Sequence, residues 1–134
     1  MANKSKQIGT RAETKVVKFL RSYGYGARRK ALAGNKDEGD VELFDAPRLC
    51  KPITLEIKAG KQTANPNRTQ LEEWIRQARV EAARSGEDKA YLCVVRYNRK
   101  IEDADVWSQY FDFDSDYIGI IRHQYLDEFA EFFK

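Results

Sequence analysis

The chain has 134 residues, 42% hydrophobic, 12% aromatic and 34% charged, a composition that points to one folded domain and argues against disordered or membrane-spanning classes. The formal net charge of +3 conceals a split: residues 1–101 carry 22 Lys and Arg against 12 Asp and Glu, whereas residues 102–134 carry 2 against 9. Simple charge segregation would give the same numbers, but a basic body beside an acidic tail also suits a polyanionic partner on one side of the molecule.

No apolar run approaches the roughly 20 residues of a membrane span, and MANKSKQ has no apolar signal core, so no membrane association and a cytoplasmic location are expected. Cys50 and Cys93 lack C-x-x-C spacing and are expected to stay reduced. The single histidine, His123, reads as incidental beside a helix start.

In chain order, residues 1–7 read as a flexible basic arm. Thr10-Arg11-Ala12-Glu13 then opens a helix on a capping-box pattern, with Ala12, Val16, Phe19, Leu20 and Tyr23 at helical spacing and Gly24 as the stop. Glu13 falls on the flank of that stripe, able to look inward as well as to cap. Residues 25–30 form a short strand ending in Arg28-Arg29-Lys30, and residues 31–39 are loop chemistry. Strands are expected from Gly39 to Phe44 and from Pro52 to Lys58.

A second helix opens at Pro66-Asn67, places Leu71, Trp74, Ile75, Ala78 and Ala82 on one face and ends at Ser85-Gly86. Trp74 fits either the core or a dimer face. The nearly continuous apolar run 90–97 reads as a strand covered on both sides. Residues 107–113 and 117–121 read as strands and 125–133 as a terminal helix. The order predicts an α/β fold, a central mixed sheet flanked by helices.

The stretch TLEIKAG, residues 54–60, carries the chemistry. Alternation along a strand points Ile53, Leu55 and Ile57 one way and Thr54, Glu56 and Lys58 the other. A solvated Glu-Lys pair is the common meaning of such a pattern. An adjacent strand beginning at Asp40, however, brings a second carboxylate within about 5 Å of the first. Two carboxylates that close repel unless neutralised, and a hard divalent ion, Mg²⁺ or Mn²⁺, neutralises them while leaving positions for water and phosphate.

The chemistry this equips is phosphodiester hydrolysis. Asp40, Glu56 and the Ile57 carbonyl are the expected metal ligands, with Glu13 completing the site directly or through a water. Lys58 is expected to orient or help deprotonate the attacking water. Arg11, Arg28, Arg29, Lys30, Lys36, Lys61 and Arg68 are the candidate phosphate contacts, Arg11 and Arg29 foremost.

Gly9-Thr10-x-x-Glu13, Gly39-Asp40-Val41 and Glu56-Ile57-Lys58, in this order, resemble the PD-(D/E)XK nuclease superfamily, and within it the small archaeal-type and phage Holliday-junction resolvases. The resemblance covers residues 8–97 and implies a restriction-endonuclease-like core, with residues 98–134 as a strand-and-helix extension of a single domain. It also implies a homodimer that cuts four-way DNA junctions symmetrically. Tyr110, Phe111, Phe129, Phe132 and Phe133 are candidates for the dimer surface. Gly39 stands where the superfamily has proline, and Ala33-Gly34 where these resolvases often carry Ser-Gly. A nuclease acting on flaps, ends or duplex DNA, and a non-catalytic DNA-binding module of the same fold, are the alternatives.

Overall fold

The computed structural model describes residues 4–30, 40–112 and 114–134; the expectations for Ala33, Gly34, Lys36 and Gly39 lie outside them. Helix α1, Lys4–Arg21, leads into strands β1, Gly26–Lys30, β2, Asp40–Asp45, and β3, Ile53–Lys58. Helix α2, Arg68–Arg84, connects β3 to β4, Lys89–Val94, and is followed by β5, Asp105–Tyr110, β6, Arg122–Tyr125, and helix α3, Leu126–Phe132.

The strands form one sheet in the order β1-β2-β3-β4-β5-β6. β3 and β4 run parallel because the α2 crossover separates them, and the other neighbours are antiparallel. On one face, Val16 and Leu20 of α1 and Phe129 of α3 pack with Leu55 and Val106 of the sheet. On the other, Trp74, Ile75 and Ala78 of α2 pack with Ala90, Leu92 and Val94. The protein is therefore an α/β fold with helices on both faces of a mixed sheet, and Trp74 belongs to its core. No helix among the described residues is long and apolar enough to cross a membrane.

Asn67 caps α2, its side chain accepting from the Gln70 N–H at 2.8 Å. The start of α1 differs from expectation. The helix runs back to Lys4, so residues 4–7 are helical and Thr10 is an interior residue, whose carbonyl accepts the Thr14 hydroxyl at 2.9 Å. Ile8 continues the i, i+4 spacing of Ala12, Val16 and Leu20 by one turn, itself exposed, and the helix runs through Gly9 despite that residue's low propensity.

The C-terminal third also departs from the pattern. Residues 117–121 make a single bridge, Phe111 to Ile118, rather than a strand, and their apolar side chains are exposed. The sixth strand is instead the polar Arg-His-Gln-Tyr run, an edge strand with little to bury and so no apolar alternation to betray it. His123 lies on that strand rather than at a helix start. Its Nε2 sits 2.6 Å from Asp105 Oδ1, and its ring packs on Trp107 with centroids 4.5 Å apart. Both cysteines are free thiols, and burial pushes the Cys93 thiol up to about 12.

Of the aromatic residues assigned to a dimer surface, Phe129 and Phe133 are core residues of α3 and its end, whereas Tyr110 and Phe132 are exposed. Phe129 is 1% exposed and Phe132 63%. In urea denaturation, Phe129→Ala is expected to cost about 3–5 kcal/mol, and Phe132→Ala to stay within about 0.5 kcal/mol of wild type.

Candidate functional site

Strand β2 begins at Asp40, and its antiparallel register sets Asp40 directly opposite Glu56 of β3. Directly paired residues project to the same side of a sheet, and Lys58, two residues beyond Glu56, shares that side. The three are 1%, 4% and 4% exposed, because α2 lies over this face. Lys58 Nζ is 3.6 Å from Glu56 Oε1. The expected solvated polar face is thus an interior one, where an unpaired charge costs several kcal/mol.

Asp40 bears most of that cost. Among the described residues no hydrogen-bond donor reaches either carboxyl oxygen. Burial raises its pKa above the ordinary aspartate value; proton sharing with the facing Glu56 carboxyl opposes this, Glu81 and Glu13 add to the rise by charge repulsion, and the Lys30 ammonium lowers it.

Glu13 is buried too, but differently held. Its Oε1 accepts from Arg29 Nε at 2.9 Å, and Arg29 alternates with the core residue Ala27 on the side of the sheet that α1 covers. Asp40, Glu56 and Lys58 are therefore one cluster, and Glu13 approaches it from the α1 side with its carboxylate engaged by an arginine. Among the described residues no three His, Cys, Asp or Glu side chains group closely enough to hold an ion as a set. The Ile57 side chain is in the core, and the β2–β3 register ends one residue before it, at Glu56.

One residue of α2 outside the three motifs acts on the cluster, and two more stand in line with it on the helix. Glu81 raises the Asp40 pKa by its charge. Gln77, one turn earlier, has a buried Oε1 without a donor among the described residues. One turn earlier again, Glu73 is held below the usual carboxylate range, first by its hydrogen bond from Arg76 and to a lesser extent by the Lys58 charge. The 73, 77, 81 spacing was the available signal, a polar row at i, i+4 and i+8 flanking the core stripe.

The proposed phosphate contacts are dispersed. Arg28 pairs with Glu42 at 2.7 Å, Arg29 with Glu13, and Arg68 with Glu72 at 2.9 Å. Lys30 Nζ donates to Ser85 Oγ at 3.0 Å, tying β1 to the end of α2. Arg11 and Lys61 are exposed, and Lys36 lies outside the described residues.

A buried carboxylate with both oxygens lacking donors, opposite a second carboxylate, is a hard-oxygen donor pair of the kind Mg²⁺ and Mn²⁺ accept. On that observation the Asp40–Glu56 pair fits such an ion, with Glu13 as an outer partner. No family model, no curated protein and no solved structure matches the chain.

The Asp40 shift has a consequence for stability. The folded protein keeps this proton at pH values where the unfolded chain, near the ordinary 3.8, has lost it, so the carboxyl makes stability fall as pH rises above that value. In metal-free buffer, Asp40→Asn should be more stable than wild type at neutral pH, with the difference shrinking as pH falls toward the ordinary aspartate range. Urea midpoints measured across that range test this, and a less stable variant at neutral pH would contradict it.

Proposed function

We propose that the protein is a metal-dependent endodeoxyribonuclease of the restriction-endonuclease-like kind, acting on branched DNA and resolving four-way junctions by paired cuts. The observation that carries this reading is the direct cross-strand pairing of Asp40 with Glu56, Lys58 beside them, in a buried cluster whose aspartate lacks any donor among the described residues. Such a cluster is costly to maintain and adds little to stability. A phosphodiester-cleaving site is one setting in which that arrangement has a use.

Asp40 and Glu56, with the Ile57 carbonyl, would hold Mg²⁺ or Mn²⁺. When bound, that ion supplies an acidified water and offsets charge on the phosphate. Lys58, kept in place by Glu56, orients the attacking water and stabilises the negative charge that develops on the phosphoryl oxygens. Glu13, fixed by Arg29, acts through a water rather than by direct ligation. Water oxygen bonds to phosphorus as the phosphorus–oxygen ester bond breaks, and the departing oxygen leaves with a proton.

Symmetric cutting needs two such sites related by a twofold axis. Tyr110 and Phe132 are the exposed aromatic candidates for that contact. The engagement of Glu13 by Arg29 favours one competing reading, a DNA-binding module of the same fold that does not cut.

Incubation with Mg²⁺ and labelled four-way junction, flap and linear duplex separates these readings. Paired symmetric nicks confined to the junction are expected; equal cutting of all three substrates indicates a broader structure-specific nuclease, and binding without cutting the non-catalytic module. Lys58→Ala should slow cleavage by about 10²–10⁴-fold, and Asp40→Asn should abolish it while junction binding persists. Cleavage by Asp40→Asn would overturn the site.

A further inference from the structure

Beyond the end of β3 the chain builds a second feature. Ala59 and Gly60 form the floor of a groove of about 340 Å³, walled on one side by Ile8, Arg11 and Lys15 of α1 and on the other by the turn after β4. That turn contributes Arg96, Tyr97 and Arg99, so four cations and no carboxylate line the groove. Arg96 is drawn to the buried Asp105 at 3.6 Å. Arg11, Lys15 and Arg99 enter no ion pair among the described residues.

The groove is built rather than incidental. Thr63, fully buried, places its hydroxyl 2.8 Å from the Gly60 carbonyl and 3.0 Å from the Val95 carbonyl, sharing its one proton between them, and accepts the Tyr97 N–H at 2.9 Å. The Val95 N–H donates to the Lys58 carbonyl at 2.8 Å. Asn98 takes a left-handed φ of 57°, which turns the chain back beyond Tyr97. Gly60, at φ 91°, adopts a backbone that other residues rarely accept. One hydroxyl thus ties both loops to the end of β3, and Tyr97 is 41% exposed beside the cations.

We propose that this groove is the channel for a single nucleic-acid strand running to or from the Asp40–Glu56–Lys58 cluster, with Arg11, Lys15 and Arg99 on its phosphates and Tyr97 stacked on an unpaired base. The inference rests on the nuclease reading for its direction and deepens it by naming the form of the substrate beside the cut. The groove floor begins one residue past Lys58, at the end of the strand that carries Glu56 and Lys58. A row of cations with an exposed aromatic ring is the combination that holds single strands without reading their sequence. A flap, or a branched substrate whose strands are parted at the branch, supplies such a strand, and a continuous blunt duplex does not.

Fluorescence anisotropy in EDTA, where no cleavage occurs, tests this with a labelled oligothymidylate and a labelled blunt duplex. For the triple variant Arg11→Gln, Lys15→Gln, Arg99→Gln, the log–log dependence of single-strand affinity on salt should flatten by about 2, roughly 0.7 for each phosphate that is no longer neutralised. The charge-retaining triple Arg11→Lys, Lys15→Arg, Arg99→Lys should keep the wild-type slope, which separates charge from folding. Tyr97→Ala should weaken single-strand binding about fivefold or more and leave duplex binding unchanged. An unaltered slope in the first triple, equal weakening of strand and duplex binding in Tyr97→Ala, or no strand binding by wild type would each overturn the groove. Junction cleavage by wild type with Mg²⁺, run in parallel, keeps the two claims apart. Binding through the groove without cutting sinks the nuclease and leaves the groove. Cutting by wild type, with the first triple binding as wild type does, sinks the groove and leaves the nuclease.

Discussion

Asp40 opposite Glu56, beneath a helix, is the constraint on which the site depends. The antiparallel register of β2 and β3 fixes it, and a slip of one residue would turn Asp40 to the α1 side and leave Glu56 facing a different neighbour. Desolvation of two carboxylates costs several kcal/mol per ion before compensation. The Lys58 ammonium, 3.6 Å from Glu56, offsets part of that cost, and burial raises the Asp40 pKa above the ordinary aspartate value. Neither gives the Asp40 oxygens a donor among the described residues. A structural ion pair would close those valences, and the proposed cation would do the same.

The rest of the fold holds that arrangement in place and gives it surroundings. The α2 crossover makes β3 and β4 parallel neighbours, which carries the ends of both strands to the same edge of the sheet. The loops leaving those ends, 59–60 and 95–99, therefore meet, and Thr63 joins them. Helix α2 contributes twice: its apolar stripe seals the core, while the charge of Glu81 on its flank acts on Asp40. On the opposite side α1 supplies Glu13 to Arg29 and, within a turn either way, cations to the groove. Cluster and groove are consequences of one topology.

How much of this was legible in the sequence depended on whether a residue's role coincided with a periodic pattern. Asp40 with Glu56 and Lys58 was readable because strand alternation and a short connection leave few registers, and the mixed α/β architecture followed from element order. The covering of their face by α2 was not readable, since alternation alone cannot tell a solvated polar face from a polar cluster under a helix. Glu13 was placed correctly on α1, but its capture by Arg29 depends on a side-chain contact across the helix–sheet interface that no spacing encodes. Gln77 and Glu81 stand in a visible polar row, and such a row on a helix flank has the same spacing whether water or a carboxylate lies beside it. At the C-terminal end apolar content misled twice: the exposed 117–121 segment resembled a strand, and the polar β6 did not. Phe129 and Phe133 looked surplus because the depth of the α3 packing cannot be counted from one amphipathic turn.

The central claim is that the Asp40–Glu56 pair is a cation site in a protein that hydrolyses phosphodiesters. Diffraction from a crystal soaked in Mn²⁺, with data collected for the manganese anomalous signal, tests it most directly. The account predicts one strong peak within ligand distance of Asp40 and Glu56, absent from crystals of Asp40→Asn. Saturating Mn²⁺ with no peak there, and Asp40 still facing no ligand, would contradict it.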